Sequence, residues 1–247
     1  MTDYKKEMAK IISGHINSQR LHCYDKWDVF RDFCALSALS ISNAVDKAQY
    51  DVREARYMEI VKRYDKEAVD MFSKLLGMLA GALEEDTTDV LGQLFHDLEL
   101  HNKWVGQFFT PIHVADMMGR ISIVGMEEKI KEQGFVTVSE PAAGAGAMVL
   151  GLAKAMKEAG YNYQEQMHVT AVDIDERCAH MCYLQLSLLG IPAVVVHGNT
   201  LSLEEFGRWY TPAHVWGGWG WKLQNDESKD DQVVVSMEEK GQLEFAL

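Results

Sequence analysis

Cysteine is scarce: four residues in 247 (Cys23, Cys34, Cys178 and Cys182), all on helical patterns and none in a C-x-x-C array. That argues against both a zinc site and a disulfide framework, and no metal is expected. Long apolar runs are missing as well, since nothing approaches the roughly 18–20 residues of a membrane span. The first residues, Met1-Thr2-Asp3-Tyr4-Lys5-Lys6-Glu7, lack the apolar core of a secretory signal. The expectation is a cytoplasmic protein with no membrane association. Basic charge is also in short supply, with 24 Lys and Arg against 37 Asp and Glu, a net charge of −13. A protein that grips DNA by itself normally shows a basic face, because counterion release supplies most non-specific affinity. Overall charge leaves room for a local patch. It implies that DNA, if DNA is the substrate, is held with help from another protein chain. What the chain does have is 47% hydrophobic and 25% charged residues, the composition of a globular protein with a real core.

The first hundred residues carry helical periodicity without strand-like alternation. Phe30, Cys34, Ala38, Ile41 and Val45 share one face, as do Tyr57, Ile60, Val61 and Tyr64. Ala68, Met71, Phe72, Leu75 and Leu79 form a third stripe, and Leu91, Leu94, Phe95 and Leu98 a fourth. The stretch Glu84 to Asp89 breaks the chain between the last two and offers N-caps. Near residue 106 the pattern changes. Thr110-Pro111 predicts a helix start, with Thr110 as cap, Pro111 at the first helical position, and Val114, Met117, Met118 and Ile121 on one apolar face. Three β-rich runs follow, at Val136 to Ser139, His168 to Asp173 and Ala193 to His197. Helical patterns separate them, carrying Val149, Leu152, Ala153 and Met156, then Ala179, Cys182, Tyr183 and Leu186. Strand and helix alternating at this spacing predict βαβ units and a parallel sheet. Beyond Gly198 the pattern weakens. Val233 to Met237 and Gln242 to Ala246 suit a terminal hairpin, preceded by an acidic linker from Asn225 to Asp231.

Each β-run ends in residues suited to a ligand. After the first comes Ser139-Glu140-Pro141-Ala142-Ala143-Gly144-Ala145-Gly146-Ala147. Small residues let the backbone approach a ligand closely, and the following helix N-terminus adds partial positive charge. A dinucleotide site prefers G-x-G-x-x-G with a phosphate at that place. Here only G-x-G is present, and the preceding acid repels phosphate but suits the ammonium group of a methionine moiety. A plain strand-to-helix connection is the alternative. Asp173 ends the second run, where a carboxylate can accept both ribose hydroxyls of an adenosine-containing cofactor; it would otherwise be a solvated strand-end acid. Asp175 reads as the cap of the next helix. Asn199 follows the third run and would either meet the adenine amino group or form a turn. Open α/β sheets bind ligands at the C-terminal ends of their strands, so three such features in succession point to one site.

Two of these segments carry a family resemblance. Gly106-Gln107-Phe108-Phe109-Thr110-Pro111, then a helix, then Glu140-Pro141-Ala142-Ala143-Gly144-Ala145-Gly146, resembles the modification subunits of type I restriction–modification systems, which are adenine-N6 DNA methyltransferases. That family begins its catalytic domain with a G-Q-F/Y-[FY]-T-P box followed by a D-P-A-C-G-S-G-like turn. Asp89-Val90-Leu91-Gly92-Gln93-Leu94-Phe95 resembles the helix ahead of the box, so the similarity spans roughly residues 87 to 201. The resemblance implies a Rossmann-like, S-adenosylmethionine-dependent core. Phe108, Thr110 and Pro111 would close over the methionine end of the cofactor, and Glu140 with the Ala142, Gly144 and Gly146 turn would hold its amino and carboxylate groups. Asp173 would bind the ribose, Ile174 would pack on the adenine and Asn199 would meet its edge. Glu140 stands where the family has Asp, and Ala143 where it has Cys.

One family element is missing. The N-P-P-[YF] sequence, whose Asn accepts from the target amino group and whose aromatic ring stacks on a flipped base, occurs nowhere in the chain. Where it should fall stands Trp209-Tyr210-Thr211-Pro212-Ala213-His214-Val215-Trp216-Gly217-Gly218-Trp219-Gly220-Trp221. These tryptophans suit either base stacking or, the preferred reading, a plug over an open sheet edge. The catalytic residues are therefore unassigned. The expectation is an α/β, Rossmann-like S-adenosylmethionine-dependent methyltransferase core at 105–222, incomplete, with an all-α region at 1–104 and an acidic linker and tail at 223–247. Its function would be DNA adenine-N6 methylation in restriction–modification. The alternative is an inactive relative that binds a specificity-subunit-like chain or another methyltransferase.

Overall fold

The computed structural model describes residues 3–16, 25–98, 100 and 109–224. Phe108 and the hairpin expected at 233–246 lie outside the described residues.

Among the described residues the N-terminal part holds five α-helices: α1 (Tyr4–Ile16), α2 (Lys26–Val45), α3 (Tyr50–Val61), α4 (Lys66–Glu85) and α5 (Val90–Asp97). Their starts are written in aspartates. Asp25 caps α2 in a reciprocal capping box with Asp28, Asp65 caps α4, and Asp89 caps α5. Each carboxylate satisfies backbone N–H groups that a helix start leaves open. Of the apolar stripes expected at 30–45, 68–79 and 91–98, Ala38, Leu75, Leu79, Leu91 and Leu94 are fully buried, while Ile41 and Val45 are half-buried.

The second part contains α6 (Ile112–Ser122), α7 (Met126–Gln133), β1 (Val136–Glu140), α8 (Ala147–Glu158), α9 (Tyr163–Gln166), β2 (Met167–Asp173), α10 (Glu176–Leu188), β3 (Ala193–Asn199), β4 (Glu204–Tyr210) and α11 (Pro212–Trp216). The sheet order is β1-β2-β3-β4. β1, β2 and β3 are parallel, as two successive βαβ units require, whereas β4 returns antiparallel to β3. This is a Rossmann-like α/β core with an all-α N-terminal region.

Helix α6 departs from expectation in two respects. Pro111 is its N-cap, with ψ at 140°, and no side chain caps it, so Thr110 is not the cap and the helix starts at Ile112. More consequentially, the face carrying Val114, Met117, Met118 and Ile121 is exposed, and the buried residues are Ala115 and Gly119. The reason is a close helix crossing. A Cβ on Gly119 would collide with the carbonyl of Gly151 in α8, and one on Gly151 with the carbonyl of Ala115. Small residues set the approach, and the large apolar ones are left pointing outward.

The helical region holds the β4 side of the sheet. Arg53 of α3 donates to the Arg208 carbonyl at 2.6 Å and pairs with Asp46 at 2.7 Å, while its guanidinium lies 4.2 Å from the centre of the Trp209 ring. On its way out of β4 the chain passes beneath the sheet, at the N-terminal ends of the parallel strands. Thr211 Oγ1 donates to the Ile191 carbonyl and accepts from Ala193 N, both at 2.8 Å, at the start of β3. His214 Nδ1 meets His168 Nε2 at 2.9 Å near the start of β2. Trp219 packs edge-on against Phe135, just ahead of β1, at 5.0 Å.

Three buried histidines make this packing sensitive to acid. Burial lowers His168 and His180 from 6.5 to about 4, with the neighbouring His214 adding to the shift at His168; burial lowers His214 too. Because the folded values lie below the unfolded ones, the unfolded chain binds more protons over this window. Stability is therefore full above about pH 6.5 and falls as pH drops toward 4, at up to about 1.4 kcal/mol per unit for each histidine. Burial raises Asp89 and Asp173 from 3.8, a contribution of opposite sign. Urea unfolding from pH 7.5 to pH 5 should show a steady loss of unfolding free energy; a flat profile would mean these rings are hydrated.

Candidate functional site

The C-terminal ends of β1, β2 and β3 come together around one carboxylate. Asp173 closes β2, is buried, and accepts two backbone hydrogen bonds: from Gly144 N to Oδ2 and from Asp175 N to Oδ1, both at 2.8 Å. Burial pushes its pKa up, while the two amide hydrogen bonds act in the opposite direction. Each carboxylate oxygen keeps a second lone pair for a further donor. Ile174, next in the chain, is 62% exposed, an unusual setting for an isoleucine directly beside a buried acid. Asp175 caps α10 by accepting from Arg177 N, as expected.

The glycine turn is fixed from below. Gly144 and Gly146 have φ of 54° and 96°, the left-handed region where a side chain is strained. Ala143 N donates to the Val172 carbonyl at 2.9 Å, tying the turn to β2. A Cβ on Gly146 would sit 3.2 Å from Cys182 Sγ, and one on Gly144 3.2 Å from the Phe109 ring. Phe109 is buried edge-on against Phe95 of α5, with ring centres 5.0 Å apart. The segment ahead of α6 and the glycine turn, separated by some thirty residues, thus touch at Phe109 and Gly144. Thr110 follows half-buried and Pro111 exposed.

Glu140 is half-buried at the end of β1, where its Oε1 accepts from Ala142 N at 3.1 Å. Beyond β3, Asn199 Oδ1 accepts from Leu201 N at 2.9 Å and Ser202 N at 3.3 Å. The turn expected there is present, and it leaves the amide nitrogen as the free end of that side chain. Thr200 Oγ1 donates to the Pro141 carbonyl at 2.6 Å and joins this loop to the β1 turn.

Sequence reasoning missed the support behind the turn. Gln185 of α10 is fully buried; its Nε2 donates to the Ala145 carbonyl at 2.8 Å and to Asp89 Oδ1 at 2.9 Å, and its Oε1 accepts from Leu91 N at 3.0 Å. Asp89 also accepts from Gly92 N at 2.7 Å. The start of α5, the middle of α10 and the glycine turn are therefore one satisfied network, and burial holds the Asp89 carboxyl above its usual range. The available signal is a long amide side chain, Gln185, inside the run Met181 to Leu189, where Ser187 is the one other polar residue besides the tyrosine hydroxyl.

The tryptophan segment does not reach this site. Because β4 runs antiparallel, its C-terminal end emerges at the N-terminal ends of the other strands, one strand length or roughly 20 Å from Asp173. The segment 209–221 therefore lies at the opposite end of the sheet from Asp173. Trp209 and Trp219 are buried and fill the fold, while Trp216 and Trp221 are exposed.

A model of the family described as N-6 DNA Methylase matches residues 86–243, more than half of the chain. No curated protein matches it. Among solved structures, it resembles a candidate class I S-adenosylmethionine-dependent methyltransferase from Listeria monocytogenes at 14% identity and a TM-score of 0.44, over 81% of this chain and 55% of that one. It also resembles the type I restriction–modification system methyltransferase subunit from Streptococcus thermophilus at 13% identity and a TM-score of 0.34, over 76% of this chain and 55% of that one. The chain thus spans about half the length of either structure, and both likenesses are too distant to add to the family match. On the strength of that match, with its range running from the helix before the box through all four strands, the chain belongs to the N-6 DNA methylase family.

Proposed function

We propose that the chain binds S-adenosylmethionine at the C-terminal ends of β1, β2 and β3 and serves DNA adenine-N6 methylation in restriction–modification. The observation that carries this reading is Asp173: a buried carboxylate oriented by two backbone amides, beside an exposed isoleucine and a turn of small residues. This donor and acceptor set fits the proposed cofactor. Asp173 takes the ribose hydroxyls and Ile174 lies under the adenine. Asn199, with its oxygen committed to the turn, offers Nδ2 to an adenine ring nitrogen rather than accepting from the amino group. Glu140 and the Ala142, Gly144 and Gly146 turn hold the methionine end, and Phe108, Thr110 and Pro111 close over it. The bound cofactor supplies an electrophilic methyl group; the chain's residues hold it in place and keep water out. DNA is gripped together with a second protein, a specificity-subunit-like chain or another methyltransferase, which agrees with the acidic net charge.

Asp173→Ala should weaken S-adenosylmethionine binding by about 1–3 kcal/mol, roughly 5- to 150-fold, through loss of hydrogen bonds to the ribose. Asp173→Asn, which keeps an acceptor for one backbone amide, should fall between the mutant and the wild type. Equal affinity in all three would remove Asp173 from the site.

A second reading is favoured by a separate observation. The sequence contains no N-P-P-[YF], and the aromatic segment in its place lies at the far end of the sheet. On this reading the chain keeps the cofactor pocket but acts as a binding or regulatory partner of an active methyltransferase. Methyl transfer from S-adenosylmethionine to DNA by the purified chain decides for the enzyme; transfer seen only on addition of a partner methyltransferase decides for the regulator.

A further inference from the structure

The start of β4 reaches the candidate site, at the end of the sheet opposite its tryptophan. Because β4 runs antiparallel to β3, its first residues lie beside the C-terminal end of that strand. Its register shifts there by one residue. His197 pairs with Gly207 and Gly198 with Glu205, which leaves Phe206 as the extra residue of a β-bulge. A bulge re-aims a side chain that regular pleating would turn elsewhere, and bulges collect beside functional sites. Here the Phe206 ring lies 5.0 Å from the His197 ring, centre to centre, at 59°. The bulge is braced, because Arg208 donates to both carboxylate oxygens of Glu205, at 2.6 and 2.7 Å. The hairpin ahead of it is tied to the β1 turn through Thr200. Within that hairpin Leu203 has φ of 60°, the one positive value at a non-glycine among the described residues. Backbone strain of this kind persists where the surrounding structure enforces it.

Phe206 is nevertheless 53% exposed. A single exposed apolar side chain is ordinary, but this one stands beside the candidate site. His197 is the register partner of Asp173, one strand spacing or roughly 4.8 Å across the sheet. Ile174, next to Asp173, is the large apolar side chain left open at the end of β2. The inference rests on the proposed cofactor site, where the strand ends follow the order of the ligand's parts. The β1 turn takes the methionine end and Asp173 the ribose, so the group bonded to the far side of the ribose falls toward β3 and the start of β4. In S-adenosylmethionine that group is adenine, a flat and uncharged ring. A methyl acceptor approaches the sulfonium, between ribose and methionine, and so comes to the other flank. We propose that Phe206 is a specificity-determining residue for the cofactor, packing on the adenine from β4 as Ile174 packs on it from β2. An aromatic face separates a purine from a ligand of similar size that has no π-system.

The test is calorimetric titration of S-adenosylmethionine into the full chain and into Phe206→Ala, Phe206→Leu and Phe206→Tyr. Loss of a stacking side chain sets the expected weakening in Phe206→Ala at roughly 5- to 150-fold. Phe206→Tyr keeps the ring and should bind as the wild type does. Phe206→Leu keeps an apolar side chain without the π-face and should fall between the two. The side chain is more than half exposed, so circular dichroism and melting should change little in all three. Should Phe206→Ala fail to fold, the leucine and tyrosine variants decide alone. Wild-type affinity in Phe206→Leu overturns the proposal, since apolar cover would then suffice. A loss in Phe206→Tyr as large as in Phe206→Leu also overturns it, by showing that the shape of the bulge matters and the ring does not. Binding by the wild type that is unchanged in Phe206→Ala removes Phe206 and leaves the cofactor site standing. No binding by well-folded wild-type protein overturns the cofactor site itself, and this inference with it.

Discussion

Trp209→Ala should cost about 3–5 kcal/mol of stability, the range for truncating a buried aromatic side chain. Trp209 is buried at the junction of three elements, with His180 edge-on at 4.9 Å, Tyr183 at 5.4 Å and the Arg53 guanidinium stacked at 4.2 Å. Its removal opens a cavity and also deprives Arg53 of a stacking partner at the join between the helical region and the sheet. Trp216→Ala, at an exposed position, should change stability by less than about 0.5 kcal/mol. Chemical denaturation of both variants checks the pair. Equal small losses would mean that Trp209 is not a plug; a large loss at Trp209 alone separates the two tryptophans that build the fold from the two that face solvent.

Gln185→Leu should lower stability by about 2–4 kcal/mol and disturb the glycine turn. Leucine fills similar volume, so little of the loss comes from packing. What is lost is a donor to the Ala145 carbonyl, a donor to Asp89 and an acceptor for Leu91 N, all in a site without exposure. Leaving a buried carboxylate short of a partner is the costly part, because each unsatisfied buried polar group costs about 1–3 kcal/mol and a charged one more. The Asp89→Asn, Gln185→Leu double variant should recover part of the loss, since a neutral amide needs less from its surroundings. A double-mutant cycle by urea unfolding measures that coupling; strict additivity would show that the two residues do not act as one network. S-adenosylmethionine affinity should fall in the single variant as well, since Ala145 belongs to the turn.

The parts legible in the sequence are those with strong local signals. β1, β2 and β3 are rich in β-branched residues, α8 and α10 are periodic, and the sharp turns after the strands mark where the candidate site residues gather. β4 was not legible, because Glu204-Glu205-Phe206-Gly207-Arg208-Trp209-Tyr210 carries charges and a glycine and becomes a strand only by pairing with β3. Its reversed direction follows from that pairing and decides which end of the sheet the tryptophan segment reaches. In α6 the periodicity identified the helix but not the side it buries, since two glycines and an alanine fixed the contact with α8. The Gln185 network was invisible for a different reason: Asp89 and Gln185 stand 96 residues apart, and nothing local to either announces the other.

The most direct test of the central claim is calorimetric titration of the folded chain with S-adenosylmethionine, beside Asp173→Ala of matched secondary structure. Saturable binding to the wild type, weakened roughly 5- to 150-fold in the variant, is the predicted result. Absence of heat and of competition by S-adenosylhomocysteine in well-folded wild-type protein would contradict it, leaving a methylase-shaped chain without the pocket its strand ends were read to form.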